Sequence, residues 1–244
     1  MPALHDHSLA SPAMTDTGTS PSVWTLAPAG TARGIAIVAH GGRANSTAPT
    51  SRAGRPALRM YPFTIGLHRS GRHAGLAVAQ LSYRVVGYND GDPVADVEWS
   101  IGELRLRFGD LPVCLIGHSM GARACVRAAG ADGVVAVAGL APWLTPQDPV
   151  EQVAGRTVML AHGVRDRITD PARSLAWAQL AYPVAGRLCR FEVARSGHAM
   201  LQRIGLWQGL IRRFTLGSLG LAPLGDELSA ALAAPADRAA RIPL

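Results

Sequence analysis

Six near-continuous apolar runs set the limits on what this chain can fold into. They are 34–40 (GIAIVAH), 76–83 (LAVAQLSY), 112–119 (PVCLIGHS), 133–140 (GVVAVAGL), 156–163 (RTVMLAHG) and 188–194 (LCRFEVA). Unbroken Val, Ile, Leu and Ala, without polar alternation, is the pattern of strands covered on both faces. Between them lie helical patterns at 56–68, 93–108, 122–129, 171–182 and 198–214. In 93–108, Val94, Val97, Ile101, Leu104 and Phe108 recur at helical spacing. Residues 24–27 are expected to add an edge strand. Strands alternating with helices predict an α/β fold: a mostly parallel central sheet, helices on both faces and a functional edge at the C-terminal strand ends.

A chain of 244 residues suits a single core. The expected division is a disordered arm at 1–21, one domain at 22–216 and a tail at 217–244 with a short helix near 226–234. The 140–156 connection is too short for a cap domain, so any lid is made of loops, with 43–56 (RANSTAPTSRAGRP) the best candidate. The first residues lack a basic start followed by an apolar core, and no apolar run reaches about 18 residues. A cytoplasmic protein with no membrane partner is therefore expected, its oligomeric state left open. Cys114, Cys125 and Cys189 follow no metal spacing and read as buried free thiols. All 24 basic residues are arginine, and formal charge is +7. That is coding bias or an attraction for anions. The arginines are scattered and do not alternate with aromatics, which argues against nucleic acid.

Chemistry concentrates at the strand ends. Gly117-His118-Ser119-Met120-Gly121 follows a strand pattern and opens a helical one. A serine on a sharp strand-to-helix turn needs small neighbours because backbones come close there. A hydroxyl is a weak nucleophile and needs a base and an orienting acid. Asp166 follows the 156–163 strand, and His198 follows the 188–194 strand, so three segments converge on one edge. Asp170 precedes Pro171 and reads as a helix N-cap; Asp148 is the alternative acid. His40, His118 and His162 also lie at strand ends beside glycines and read as turn or supporting residues, with no metal site expected. The backbone N–H of Met120 and that of Gly42, or next Arg43, are the expected oxyanion donors. Tyr83, Arg84 and Trp143 could rim the pocket, Trp143 equally being a core residue below its loop. Arg84 or Arg43 could hold a substrate carboxylate, or be plain surface arginines.

Together GHSMG, HGG, HGVRD and SGHAM resemble the α/β-hydrolase superfamily over roughly 34–214, in its compact capless group of dienelactone-hydrolase-like and small serine esterases. The resemblance implies Ser119 as nucleophile, Asp166 as acid, His198 as base, and Met120 and Gly42 as oxyanion donors. It implies an ester, thioester or similar acyl substrate of small size and no cofactor. Two departures bear on the substrate. Arg43 and a polar loop follow HGG, and a dienelactone hydrolase proper would carry cysteine where Ser119 stands. An acyltransferase or peptidase on the same triad, and a fold repurposed for elimination or cyclisation, are the alternatives.

Overall fold

The computed structural model describes residues 20–244. Nearly all of the arm expected at 1–21 therefore lies outside the described residues. The strands are β1 (Ser22–Leu26), β2 (Gly34–Ala39), β3 (Leu76–Ser82), β4 (Val113–His118), β5 (Val134–Leu140), β6 (Thr157–Gly163), β7 (Arg187–Val193) and β8 (Ile242–Pro243). They form one sheet in the order β1-β3-β2-β4-β5-β6-β7-β8. β1 runs antiparallel to β3, and every other pairing is parallel.

Strand residues alternate between two cores, as the two-residue period of a strand demands. Ile35, Ile37 and Leu115 face one side, where they meet Val97 and Ile101 of α2 (Asp92–Phe108), Cys125 of α3 (Met120–Arg127) and Trp177 of α4 (Pro171–Ala181). Ala36, Val38 and Ile116 face the other, against Phe63 of α1 (Arg55–Gly71), Trp207 and Phe214 of α5 (Ile204–Ser218), and Leu228 of α6 (Asp226–Ala233). Both faces being covered explains the unbroken apolar runs. The three cysteines are free and buried. No helix among the described residues is long and apolar enough to cross a membrane.

Two elements differ from expectation. The last long helix begins at Ile204, not at 198, because Met200 and Arg203 adopt φ of 58° and 60°, outside the right-handed helical region. Residues 198–203 are thereby left as a loop at the sheet edge. Residues 217–244 are not an appended tail: α6, α7 (Ala236–Ala239) and β8 pack on the same sheet, burying Leu228, Leu232 and Ala239. The 43–56 loop is pinned rather than free. Arg43 N–H donates to Val86 O, Val86 N–H to Ala48 O and Gly87 N–H to Ser46 O, at 2.9–3.1 Å.

Candidate active site

Ser119 occupies the turn between β4 and α3 with φ 56° and ψ −118°. A side chain other than glycine is strained there, at a cost of about 1–3 kcal/mol. The surroundings hold it in place. Ser119 N–H donates to Leu140 O at 3.0 Å, and Ser119 O accepts from Ala122, Arg123 and Trp143 N–H at 3.1–3.3 Å. A Cβ at Gly117 would overlap Gly121 O and Ala122 N, and one at Gly121 would overlap His40 O. The two flanking glycines are thus required by the turn itself and by its closeness to the end of β2. Ser119 is buried, and its Oγ makes no hydrogen bond among the described residues.

Asp166 and His198 come together from the loops after β6 and β7. His198 Nδ1 lies 2.8 Å from Asp166 Oδ2. That oxygen also meets Thr169 Oγ1 at 2.9 Å and His162 Nε2 at 3.1 Å. Ile168 and Thr169 N–H donate to Oδ1 at 2.8 and 3.0 Å. Burial pushes the carboxyl pKa up, but the hydrogen bonds from His162, His198, Ile168 and Thr169 outweigh it and hold Asp166 well below the usual carboxylate range. With Nδ1 engaged by Asp166, the side-chain hydrogen bonds of His198 are confined to that ring nitrogen among the described residues. The loop that carries His198 is tied to His118, the residue before Ser119, whose Nε2–H donates to His198 O at 2.9 Å. The two imidazole rings lie 4.8 Å apart. Burial, and then the neighbouring His198, lower the His118 pKa to about 3, so this imidazole is neutral.

The other strand-end carboxylates have structural jobs. Asp170 caps α4, accepting from Ala172 N–H at 2.8 Å. Asp148 pairs with Arg123 at 2.7 Å and Arg127 at 3.5 Å and accepts from Thr145 N–H at 2.9 Å, while His198 Nδ1 is taken by Asp166. It is not the acid partner of His198.

Among the described residues the N–H groups of Met120 and Gly42 find no intramolecular acceptor, whereas Arg43 N–H is committed to Val86 O. A Cβ at Gly42 would overlap Val86 O and the Met120 thioether, so this loop lies directly against the start of α3. A cavity of about 350 Å³ opens below the 43–56 loop, lined in part by His40, Gly41, Gly42, Arg43 and Ala57.

The expected rim divides. Arg43 is exposed and lines this cavity. Trp143 is half-buried beside the elbow, 4.7 Å from the Arg123 guanidinium, whose other neighbour is Tyr88 at 4.5 Å. Tyr83 is not a rim residue: it is 2% exposed, and its ring packs edge-on against His40 at 4.8 Å. Arg84 is not free for a carboxylate of the substrate. Its Nε is 2.6 Å from Asp96 Oδ1, and its N–H donates to Oδ2 at 2.9 Å. His162 and Thr169, which close around Asp166, were not singled out by the sequence as partners of the acid. The four-residue spacing of His162 and Asp166 across a strand end was the available signal.

No family model and no curated protein matches the sequence. Solved structures do match the fold. An α/β serine hydrolase homologue from Coxiella burnetii aligns at TM-score 0.59 and 16% identity, over 80% of this chain and 91% of that one. A serine hydrolase without a lid from Xanthomonas campestris aligns at 0.57 and 20%, over 80% and 88%. A thermophilic esterase from the Planctomycetes species Thermogutta terrifontis, bound to butyrate, aligns at 0.62 and 15%, over 84% and 92%. The chain has the α/β-hydrolase fold without a cap.

Proposed function

We propose that this protein is a serine hydrolase that cleaves an ester, thioester or similar acyl bond through an acyl-enzyme on Ser119. The observation that carries the reading is the 2.8 Å His198–Asp166 bond, built from two separate strand ends beside a serine held at φ 56°. In the proposed reaction His198 Nε2 takes the Ser119 proton as Oγ attacks the carbonyl carbon. Asp166 keeps the proton on Nδ1 and stabilises the imidazolium. The N–H groups of Met120 and Gly42 receive the negative oxygen. The imidazolium then protonates the leaving alcohol or thiol, and water, deprotonated by His198, releases the acid.

The hydrolases and esterases among the structural neighbours support this reading, and the butyrate in one of them suggests short acyl chains as first substrates. The test is turnover of p-nitrophenyl butyrate together with labelling by a fluorophosphonate. Ser119→Ala should abolish labelling and lower kcat/KM by roughly 10⁴-fold or more. Unchanged turnover in that variant would remove Ser119 from the chemistry. Labelling without ester turnover would favour acyl transfer or a repurposed reaction.

A further inference from the structure

Two loops beside the candidate site combine exposed aliphatic tips with unpaired arginines. The loop after β6 reads Val164-Arg165-Asp166-Arg167-Ile168; only Asp166 turns inward, and the other four are exposed. The loop after β7 carries exposed Arg195, Leu201 and Arg203, and exposed Ile204 opens α5 directly after it. Among the described residues nine large hydrophobic side chains are exposed, and four of them are in these two loops or at the helix start that follows: Val164 at 50%, Ile168 at 75%, Leu201 at 70% and Ile204 at 38%. The loops form one patch because they are laced together. Val164 N–H donates to Val193 O at 3.1 Å, and Arg165 N–H to Ser196 O at 2.9 Å. Ser196 Oγ in turn donates to Gln202 O at 3.4 Å.

The charge of this patch is predominantly positive, four arginines against exposed Asp170 and buried Asp166. Arg165, Arg167, Arg195 and Arg203 make no ion pair among the described residues. The nearby acids are otherwise engaged: Asp166 with its histidines, Asp170 with the start of α4, and Glu192 with Arg190. Aliphatic tips interleaved with arginines suit the boundary of an anionic bilayer. There the tips enter the acyl region while the guanidinium groups meet lipid phosphates. A protein partner of ordinary composition would leave four unpaired cations to be desolvated on contact.

We infer that the face formed by loops 164–170 and 194–204 docks reversibly on an anionic membrane surface. No spanning helix is needed, and docking turns the capless edge that carries Ser119 and His198 toward the lipid. The inference rests on the surface and not on the triad, so Ser119→Ala should bind like the wild type even if the proposed chemistry fails.

The test is co-sedimentation with vesicles of phosphatidylcholine alone and of an equimolar phosphatidylcholine–phosphatidylglycerol mixture. The protein should bind the mixed vesicles only, and less as salt is raised. Arg165→Gln with Arg167→Gln should weaken binding by roughly 25-fold, about five-fold per arginine. Ile168→Ser with Leu201→Ser should weaken it as well, while Leu106→Ser with Arg107→Gln should not. The control pair tests the same chemistry at the opposite edge, where Leu106 is 88% exposed. Equal binding to both vesicle types, absence of binding, or equal losses in the control variant would overturn the inference. A shift of the free protein to a lower sedimentation coefficient in the loop variants would also overturn it, in favour of a face between copies of the chain.

Discussion

Asp166 accepts hydrogen bonds from His198, His162 and Thr169 side chains and from two backbone N–H groups, and this saturation fixes both its charge and its aim. Asp166→Asn keeps the shape but can offer an N–H to His198 where an acceptor is needed. We expect kcat/KM on p-nitrophenyl butyrate to fall about 10⁴-fold while the fold persists by circular dichroism. His118 makes a different prediction. Folded, it stays neutral down to about pH 3; in the unfolded chain it titrates near 6.5. Below pH 6.5 the unfolded state gains a proton that the folded state refuses, so stability drops as pH falls toward 3. Between pH 7 and about 5 this loss is separable from that of Asp166, whose depressed carboxyl gives up its stabilisation only as the unfolded state begins to bind protons below about pH 5. The loss over the full window is on the order of a few kcal/mol. Urea midpoints measured at pH 7 and 5 should therefore differ less in His118→Gln than in the wild type. Ser119, Asp166 and His198 could be singled out because each lies at the end of an apolar run or within about four residues after one. The Arg84–Asp96 pair was not, since the partners are separated by a turn of irregular backbone. A clue existed: Asp96 lies on the buried face of α2 with Val97 and Ser100, and a carboxylate on a core face needs a cation.

At the scale of elements, the elbow and the base loop show how short irregular segments aim the side chains that regular ones carry. α3 can start at Met120 only because Gly117 and Gly121 let β4, β2 and the helix meet without a Cβ between them. Gly117→Ala must push Ala122 and Gly121 apart in a fully buried turn. It should cost about 2–4 kcal/mol, read as a lower urea midpoint, and abolish fluorophosphonate labelling. The Arg123–Asp148 pair fixes the adjoining wall. Asp148 is 2% exposed, so Arg123→Leu leaves a buried carboxylate that keeps its Thr145 hydrogen bonds but has only the more distant Arg127 as a cation. A loss of about 3 kcal/mol is expected, together with altered KM because Trp143 loses the guanidinium it stacks on. β1 to β7 and α1 to α4 could be placed from sequence within a few residues because their patterns come from burial. The start of α5 could not. The positive φ values of Met200 and Arg203 lie in a loop that Ser196 Oγ ties at Gln202 O, a tertiary arrangement that local pattern does not encode.

For the whole molecule, the C-terminal segment decides whether the sheet has an open edge. β8 pairs with β7, and the chain is locked there by Ala194 N–H to Leu244 O at 2.8 Å and Leu244 N–H to Glu192 O at 2.9 Å. Behind it Arg190, 1% exposed, gives one of its hydrogen bonds to Ala240 O at 3.2 Å. Tyr182 of the opposite face donates to Ala234 O at 2.8 Å, so the segment wraps from one core to the other. Composition rich in Ala, Leu, Gly and Pro hid this role, because a two-residue strand has no period to read. A chain ended after Gly220 would uncover β7 and lose the buried Leu228 and Leu232, each worth about 1.5–3 kcal/mol. It would also leave Arg190 short of an acceptor next to an unpaired strand edge, the arrangement that recruits another chain. We expect such a protein to melt at least about 10 °C lower and to scatter light on heating. The 2.8 Å His198–Asp166 bond also hangs from β7, so ester turnover should fall in parallel with the melting temperature. A truncated protein that melted within a degree or two of the full chain and kept its activity would show the sheet to be complete at β7.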